Sequence, residues 1–140
     1  VKVLRNKNSM LSSKNIKINI CGIDDLYNGR PNIKKAFEGI DSSLYTILLS
    51  HSPNIIFTNT PNLDLILSGH THGGQVRLPL IGAVVIPNQG LMPKYDKGLF
   101  KLSNDRLLYI DSGLGTSVLP IRFLNRSQVT LITLESANEN

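Results

Sequence analysis

The 140-residue chain holds a single cysteine, so no intrachain disulfide framework can staple it. Cys21 lies in the apolar run Ile18-Asn19-Ile20-Cys21-Gly22-Ile23 and reads as a buried, inert thiol. No stretch approaches the ~20 apolar residues of a membrane span, and no basic segment followed by an apolar run marks a signal peptide. Aromatic residues are only 6% of the chain and are not interleaved with the basic ones. The formal charge of +5 is scattered, with Lys34-Lys35 adjacent and no longer basic run. These absences argue against a nucleic-acid partner; the charge reads first as a solvated face, with an anionic substrate facing part of it as the alternative. Internal repeats are also lacking. With 41% hydrophobic residues, the chain has enough apolar material for the core of one globular domain, but not comfortably for two.

What is present is a series of short apolar runs. Val1–Leu4 and Ile16–Ile20 predict strands, with the polar Asn/Ser/Lys stretch between them as a loop. Pro31 predicts the start of a helix reaching Ile40, because Ile33, Ala36, Phe37 and Ile40 share one face. Leu44–Ser50 and Leu63–Leu67 are continuously apolar, which predicts strands covered on both faces. A connection of about a dozen residues, with a short helix through Ile55–Phe57, fits a parallel crossover between them. Val76–Leu78, Val84–Ile86, Gly98–Leu102, Leu107–Asp111 and Val129–Leu134 predict shorter strands, with a hairpin turn at Ser103-Asn104-Asp105-Arg106. The class is α/β, with two sheets or one sheet and a meander layer, and a largely antiparallel second half. Residues 1–135 read as part of one domain and 136–140 as a disordered tail.

The three histidines, His51, His70 and His72, lie within 22 residues, each just past an apolar strand. Ligands of α/β sheets bind outside the carboxyl ends of strands, so these side chains should face one crevice. A single strand-end histidine is ordinarily a satisfied polar residue. A His-x-His pair set among Gly69, Gly73 and Gly74, with a third histidine at the neighbouring strand end, points to a metal site. Three neutral imidazoles suffice for one zinc ion with an open position for water. A cupin-type site needs a glutamate a few residues later, and 73–82 holds none. Two divalent ions ~3.5–4 Å apart repel by about 17–19 kcal/mol even at an effective dielectric near 20, so a dinuclear site needs a bridging carboxylate. Asp24, Asp25, Asp64 and Asp111 are the local candidates. Asp24 and Asp25 read more simply as turn or cap residues, and Asp64 sits at the wrong end of its strand. The chain looks short of anionic ligands.

Leu-Ser-His-Ser-Pro-Asn at 49–54, followed by Leu-Ser-Gly-His-Thr-His-Gly-Gly-Gln at 67–75, resembles the last two motifs of the calcineurin-like metallophosphoesterases. Gly22-Ile23-Asp24-Asp25, Gln75-Val76-Arg77-Leu78-Pro79, Lys97-Gly98-Leu99-Phe100 and Gly113-Leu114-Gly115-Thr116-Ser117 narrow the likeness. They look like the bacterial branch of predicted phosphohydrolases and phosphodiesterases that includes UDP-2,3-diacylglucosamine-hydrolase-like members. The resemblance implies half of a double β-sheet sandwich flanked by helices. It implies a phosphoester hydrolase using two divalent ions of the Mn, Fe or Zn class, with His51 and His70 on one ion and His72 on the other. The substrate would be a phosphorylated small molecule or a lipid-linked one. The family's Asp-x-His, Gly-Asp-x-x-Asp and Gly-Asn-His motifs do not occur in this chain. Together with the opening on Val1, this predicts the C-terminal half of a longer enzyme, inactive alone, with any membrane association carried by the preceding region. The compartment is left open between cytoplasm and membrane surface. Arg77 is a candidate phosphate contact, since a guanidinium matches phosphate oxygens, and equally reads as a surface charge; Arg122 is a weaker candidate. A self-contained mononuclear zinc enzyme and a non-catalytic interaction domain remain the competing readings.

Overall fold

The continuous apolar segments pair side by side. In the computed structural model, which describes residues 1–13, 16–27, 29–60, 63–86, 89–117 and 120–135, the strands are β1 (Lys7–Ser13), β2 (Ile16–Gly22), β3 (Tyr45–Ser50), β4 (Leu65–Ser68), β5 (Arg77–Leu78), β6 (Gly82–Ala83), β7 (Val85–Ile86), β8 (Gly90–Leu91), β9 (Gly98–Lys101) and β10 (Leu107–Ile110). Among the described residues the main sheet has six strands in the order β1-β2-β3-β4-β10-β9. The inner four run parallel, and the antiparallel strands β1 and β9 form the two edges. The carboxyl ends of β2, β3, β4 and β10 therefore lie along one rim. The predicted parallel crossover is present, with Pro53–Phe57 as a 3₁₀ turn between β3 and β4.

Cross-strand register explains the core. Cys21, Leu48, Ile66 and Leu108 stand in one row across the sheet. All are essentially inaccessible, and they pack with Ile110, Ile55, Ala36 and Phe37. Successive strand residues point to opposite faces, and the next row, Leu49, Leu67, Tyr109 and Leu99, belongs to the other face. That face is covered only in part: Ile47 and Leu65 are buried, whereas Leu49 is 40% and Leu99 63% exposed. Coverage of β3 and β4 on both faces, expected from their composition, is thus incomplete among the described residues.

Several boundaries differ from expectation. Val1–Leu4 is not a strand; the polar stretch 7–13 is. An edge strand needs only one partner and tolerates water on its outer side, so lysine, serine and asparagine suit it. Asn8 also donates to the carbonyls of Ala36 and Glu38, tying β1 to the end of the helix. That helix, α1, is a single turn, Ile33–Ala36, rather than 31–40. Asn32 caps it by accepting from the Lys35 amide, but its first turn has no acidic residue, and Gly39 takes a left-handed φ of 72°. Val129–Leu134 forms no strand. It is anchored instead through Thr130, whose hydroxyl meets Tyr109 and Asp111.

The turn at 103–106 is as predicted: Asn104 and Asp105 both have positive φ, 58° and 56°, as a tight hairpin joining β9 and β10 requires. The hairpin does not build a separate layer, because β10 docks parallel on β4. The β5–β6 and β7–β8 pairs stand apart from the main sheet, joined by Val84 donating to Val76 and Met92 donating to Val84. The expected tail, 136–140, lies outside the described residues.

Candidate metal centre

β3 and β4 end together, with Ser50 opposite Ser68. The next residues of each strand carry imidazoles to the same place. The amide of Gly69 donates to the His51 carbonyl at 3.2 Å, which fixes the two loops against each other. The His51 and His70 rings then lie 4.6 Å apart between centroids, inclined at 59°. His70 adopts a φ of 68°, a left-handed conformation that is costly for any residue with a Cβ. Its Nε2 is buried and has no hydrogen-bond partner among the described residues. Burial, then the neighbouring His51, pushes the His70 pKa down; Asp25 opposes this and His72 adds to it. The ring is thus held in the neutral form, whose unprotonated nitrogen offers a lone pair. Tyr27 packs 5.6 Å from the His70 ring, and Asn54 donates to its hydroxyl.

His72 is set on the far arm of the same loop. His72, Gly73, Gly74 and Gln75 all have positive φ, at 48°, 63°, 78° and 49°. Such a run is affordable only in a tightly packed loop. A Cβ on Gly74 would sit 2.3 Å from that of Ala83, so only glycine lets the loop approach the β5–β6 hairpin. Thr71 is buried and bridges the turn: its hydroxyl donates to the Asp96 carbonyl at 2.6 Å and accepts from the Gly73 amide. Nδ1 of His72 lies 3.3 Å from the Gly115 carbonyl, and Asn125 donates to the His72 carbonyl at 2.6 Å.

The acidic side chains are committed elsewhere. Asp24 accepts from Arg5, at 3.1 and 3.2 Å, and from Asn6. Asp25 accepts from the Tyr27 amide, which is the turn role expected of it, although it is also the carboxylate felt by His70. Asp64 accepts from the Thr46 amide at the opposite rim of the sheet, as its position in the strand predicted. Asp111 accepts from Gly113 and Thr130.

The two arginines also have structural partners. Arg77 pairs with Asp96 at 2.7 Å and donates to the Gly73 carbonyl, with both charged side chains largely buried. Among the described residues Arg122 donates to main-chain carbonyls alone, those of Ser112, Gly113, Gly115 and Arg126.

A groove of about 440 Å³ opens beside His51, lined by Lys2, Leu4, Leu49, Leu67, Ser68 and Gly69 among others. It joins the histidine rim to the less covered face of the sheet.

The histidines fit a metal ion as ligands, since a buried imidazole nitrogen lacking a partner is what a bound cation would satisfy. They do not complete a coordination shell. Among the described residues no group of three or more His, Cys, Asp or Glu side chains is placed to hold an ion. The structure brings the rings of His51 and His70 together; His72 acts electrostatically on His70, but among the described residues the three do not form one metal-holding group. Sequence reasoning missed Tyr27, Asn54, Asn125 and the carbonyl of Gly115, whose approach depends on chain segments tens of residues away. Asn54 and Gly115 lay in segments that had drawn notice, at 49–54 and 113–117, but neither contact was read from them.

The chain is similar to an uncharacterized metallophosphoesterase of Bacillus subtilis, YkuE, with 37% identity over 123 residues, covering 87% of this chain and 42% of that protein. An uncharacterized metallophosphoesterase of Helicobacter pylori strain J99 is 37% identical over 129 residues, covering 87% of this chain and 33% of the relative. One from Aquifex aeolicus is 30% identical over 122 residues, covering 83% and 45% respectively. The chain spans less than half the length of these curated relatives. No protein family's sequence profile matches it, and no solved structure does.

Proposed function

We propose that this chain, which belongs to the calcineurin-like metallophosphoesterases, supplies the histidine ligands of a divalent-metal centre for phosphoester hydrolysis. His51 and His70 would hold one ion, and His72 a second. The observation that carries this reading is the partnerless, buried Nε2 of His70, set beside His51 at the paired ends of β3 and β4.

Divalent ions in such a site polarise phosphoryl oxygens and generate a nucleophile from water at neutral pH. The chain's own residues bind and orient. The left-handed turn at His70 aims its ring toward His51, and Thr71 and the Arg77–Asp96 pair hold the loop in that shape. The groove beside His51 offers room for a substrate whose non-phosphate part has apolar surface.

The negative charge that His70 feels is that of Asp25, which also accepts from the Tyr27 amide, and among the described residues no group of three or more ligating side chains forms around the histidines. Asp24, Asp64 and Asp111 are engaged in the fold and Asp25 in the Tyr27 turn, so among the described residues no carboxylate is set between the histidines to offset the repulsion of two dications. We therefore propose that the carboxylates come from outside these 140 residues, and that this chain alone does not turn over phosphoesters. Hydrolysis of bis(p-nitrophenyl) phosphate with added Mn²⁺ tests this. A rate no higher than that of Mn²⁺ without protein is expected. Turnover that disappears in His70→Ala would show that these residues suffice.

A further inference from the structure

We propose that Arg122 is a positioning residue for His72: by holding the Gly115 carbonyl it fixes the imidazole in the Nδ1–H form and leaves the Nε2 lone pair as the coordinating one. A carbonyl oxygen only accepts, so the 3.3 Å approach of His72 Nδ1 to Gly115 requires the proton on Nδ1. An unconstrained imidazole favours the other tautomer, so the carbonyl's position decides the outcome. Ligating histidines are commonly oriented this way, by a carbonyl or carboxylate on the nitrogen that does not meet the metal.

The Gly115 carbonyl does not hold itself in place. Residues 113–117 belong to no strand or helix, and Gly115 is exposed. Arg122 supplies the restraint. Its Nε donates to the Gly115 carbonyl at 3.0 Å and its Nη2 bonds the same oxygen, while Nη2 also reaches Ser112 at 2.7 Å and Gly113 at 3.0 Å. Among the described residues no carboxylate pairs with this half-buried guanidinium. Its directional donors are spent on main-chain oxygens, an arrangement that needs a planar fork and that a lysine cannot copy. Asn125, three residues later, grips the His72 backbone at the carbonyl, where φ is 48°. The short segment 122–125 thus holds both the ring and the backbone of one histidine.

The metal meaning of this device rests on the reading of His72 as a ligand, but its test does not. Long-range ¹⁵N–¹H spectra of the histidine rings, recorded on the metal-free chain with the imidazoles neutral, report the tautomer directly. His72 is expected as Nδ1–H in the wild type, which needs no variant that might misfold. Arg122→Lys should shift it toward Nε2–H while the amide spectrum of the main sheet stays unchanged, and should weaken Zn²⁺ binding seen at His72 about tenfold. Finding Nε2–H in the wild type, or an Nδ1–H form indifferent to Arg122→Lys and Arg122→Ala, overturns the proposal. A tautomer that follows Arg122 while Zn²⁺ never perturbs His72 supports the positioning and overturns only the ligand assignment.

Discussion

The rings of His51 and His70 lie 4.6 Å apart at the paired ends of two parallel strands, and Nε2 of His70 is buried with no hydrogen-bond partner among the described residues. A buried polar atom left in this way ordinarily costs about 1–3 kcal/mol. The φ of 68° at the same residue adds backbone strain. His70 is thus maintained against local stability, as expected of a residue kept for what it binds.

The first prediction separates those two roles. His70→Gly relieves the strained φ and removes the partnerless nitrogen, at the loss of ring contacts to His51 and Tyr27. The metal-free variant should stay within about 1 kcal/mol of the wild type in urea unfolding, on either side. Calorimetric titration with Mn²⁺ or Zn²⁺ should show the affinity collapsing.

Gly74→Ala should behave in the opposite way. The new methyl group would meet the Ala83 Cβ at 2.3 Å, on a backbone with φ of 78°. Overpacking and left-handed strain together predict a loss of about 3 kcal/mol, visible as a lower urea midpoint with unchanged slope.

The Arg77–Asp96 pair gives a third test. Asp96 accepts from Arg77, from the Ala83 amide and from the Lys97 amide. Asp96→Ala leaves a largely buried guanidinium and two amides without that acceptor, and should cost about 3 kcal/mol. In a double-mutant cycle, adding Arg77→Ala should cost much less than Arg77→Ala does alone. Strict additivity would mean that Arg77 is free of this tie and available to a phosphate.

Burial pushes the Cys21 thiol up from its ordinary 9.0 to about 11. The native chain should therefore resist thiol reagents at pH 8 and react fully once unfolded in urea. The linkage has a definite sign. The folded state keeps a proton that the unfolded thiol gives up, so this contribution is complete below about 9. It is lost as pH rises from there through about 11. A Cys21→Ser comparison by urea unfolding across that window isolates the slope due to the thiol.

Much of the fold was legible where apolar runs are continuous. Leu44–Ser50 and Leu63–Leu67 gave two parallel strands because short continuous apolar runs suit the interior of a sheet, although residues such as Leu49 keep part of their surface exposed. Ser103–Arg106 gave its turn because asparagine and aspartate tolerate positive φ. The edge strand at 7–13 was not legible, since a strand supported from one side carries little hydrophobic signal. The helix after Pro31 was read too long because facial periodicity does not register how Gly39 and Asn8 close off its end. At the site, the nearness of His51 and His70 at neighbouring strand ends and the placement of Asp64 at the opposite rim were visible in the sequence. The engagement of Asp24 by Arg5 was not, because it depends on a terminal segment folding back across 19 residues.

Paramagnetic broadening of amide and imidazole resonances by substoichiometric Mn²⁺ tests the central claim most directly. The account predicts that His51, Gly69 and His70 broaden first, that His72 follows at higher metal, and that His70→Ala removes the first effect. Broadening centred on exposed carboxylates such as Asp41, or a pattern at the strand ends unchanged by His70→Ala, would contradict it.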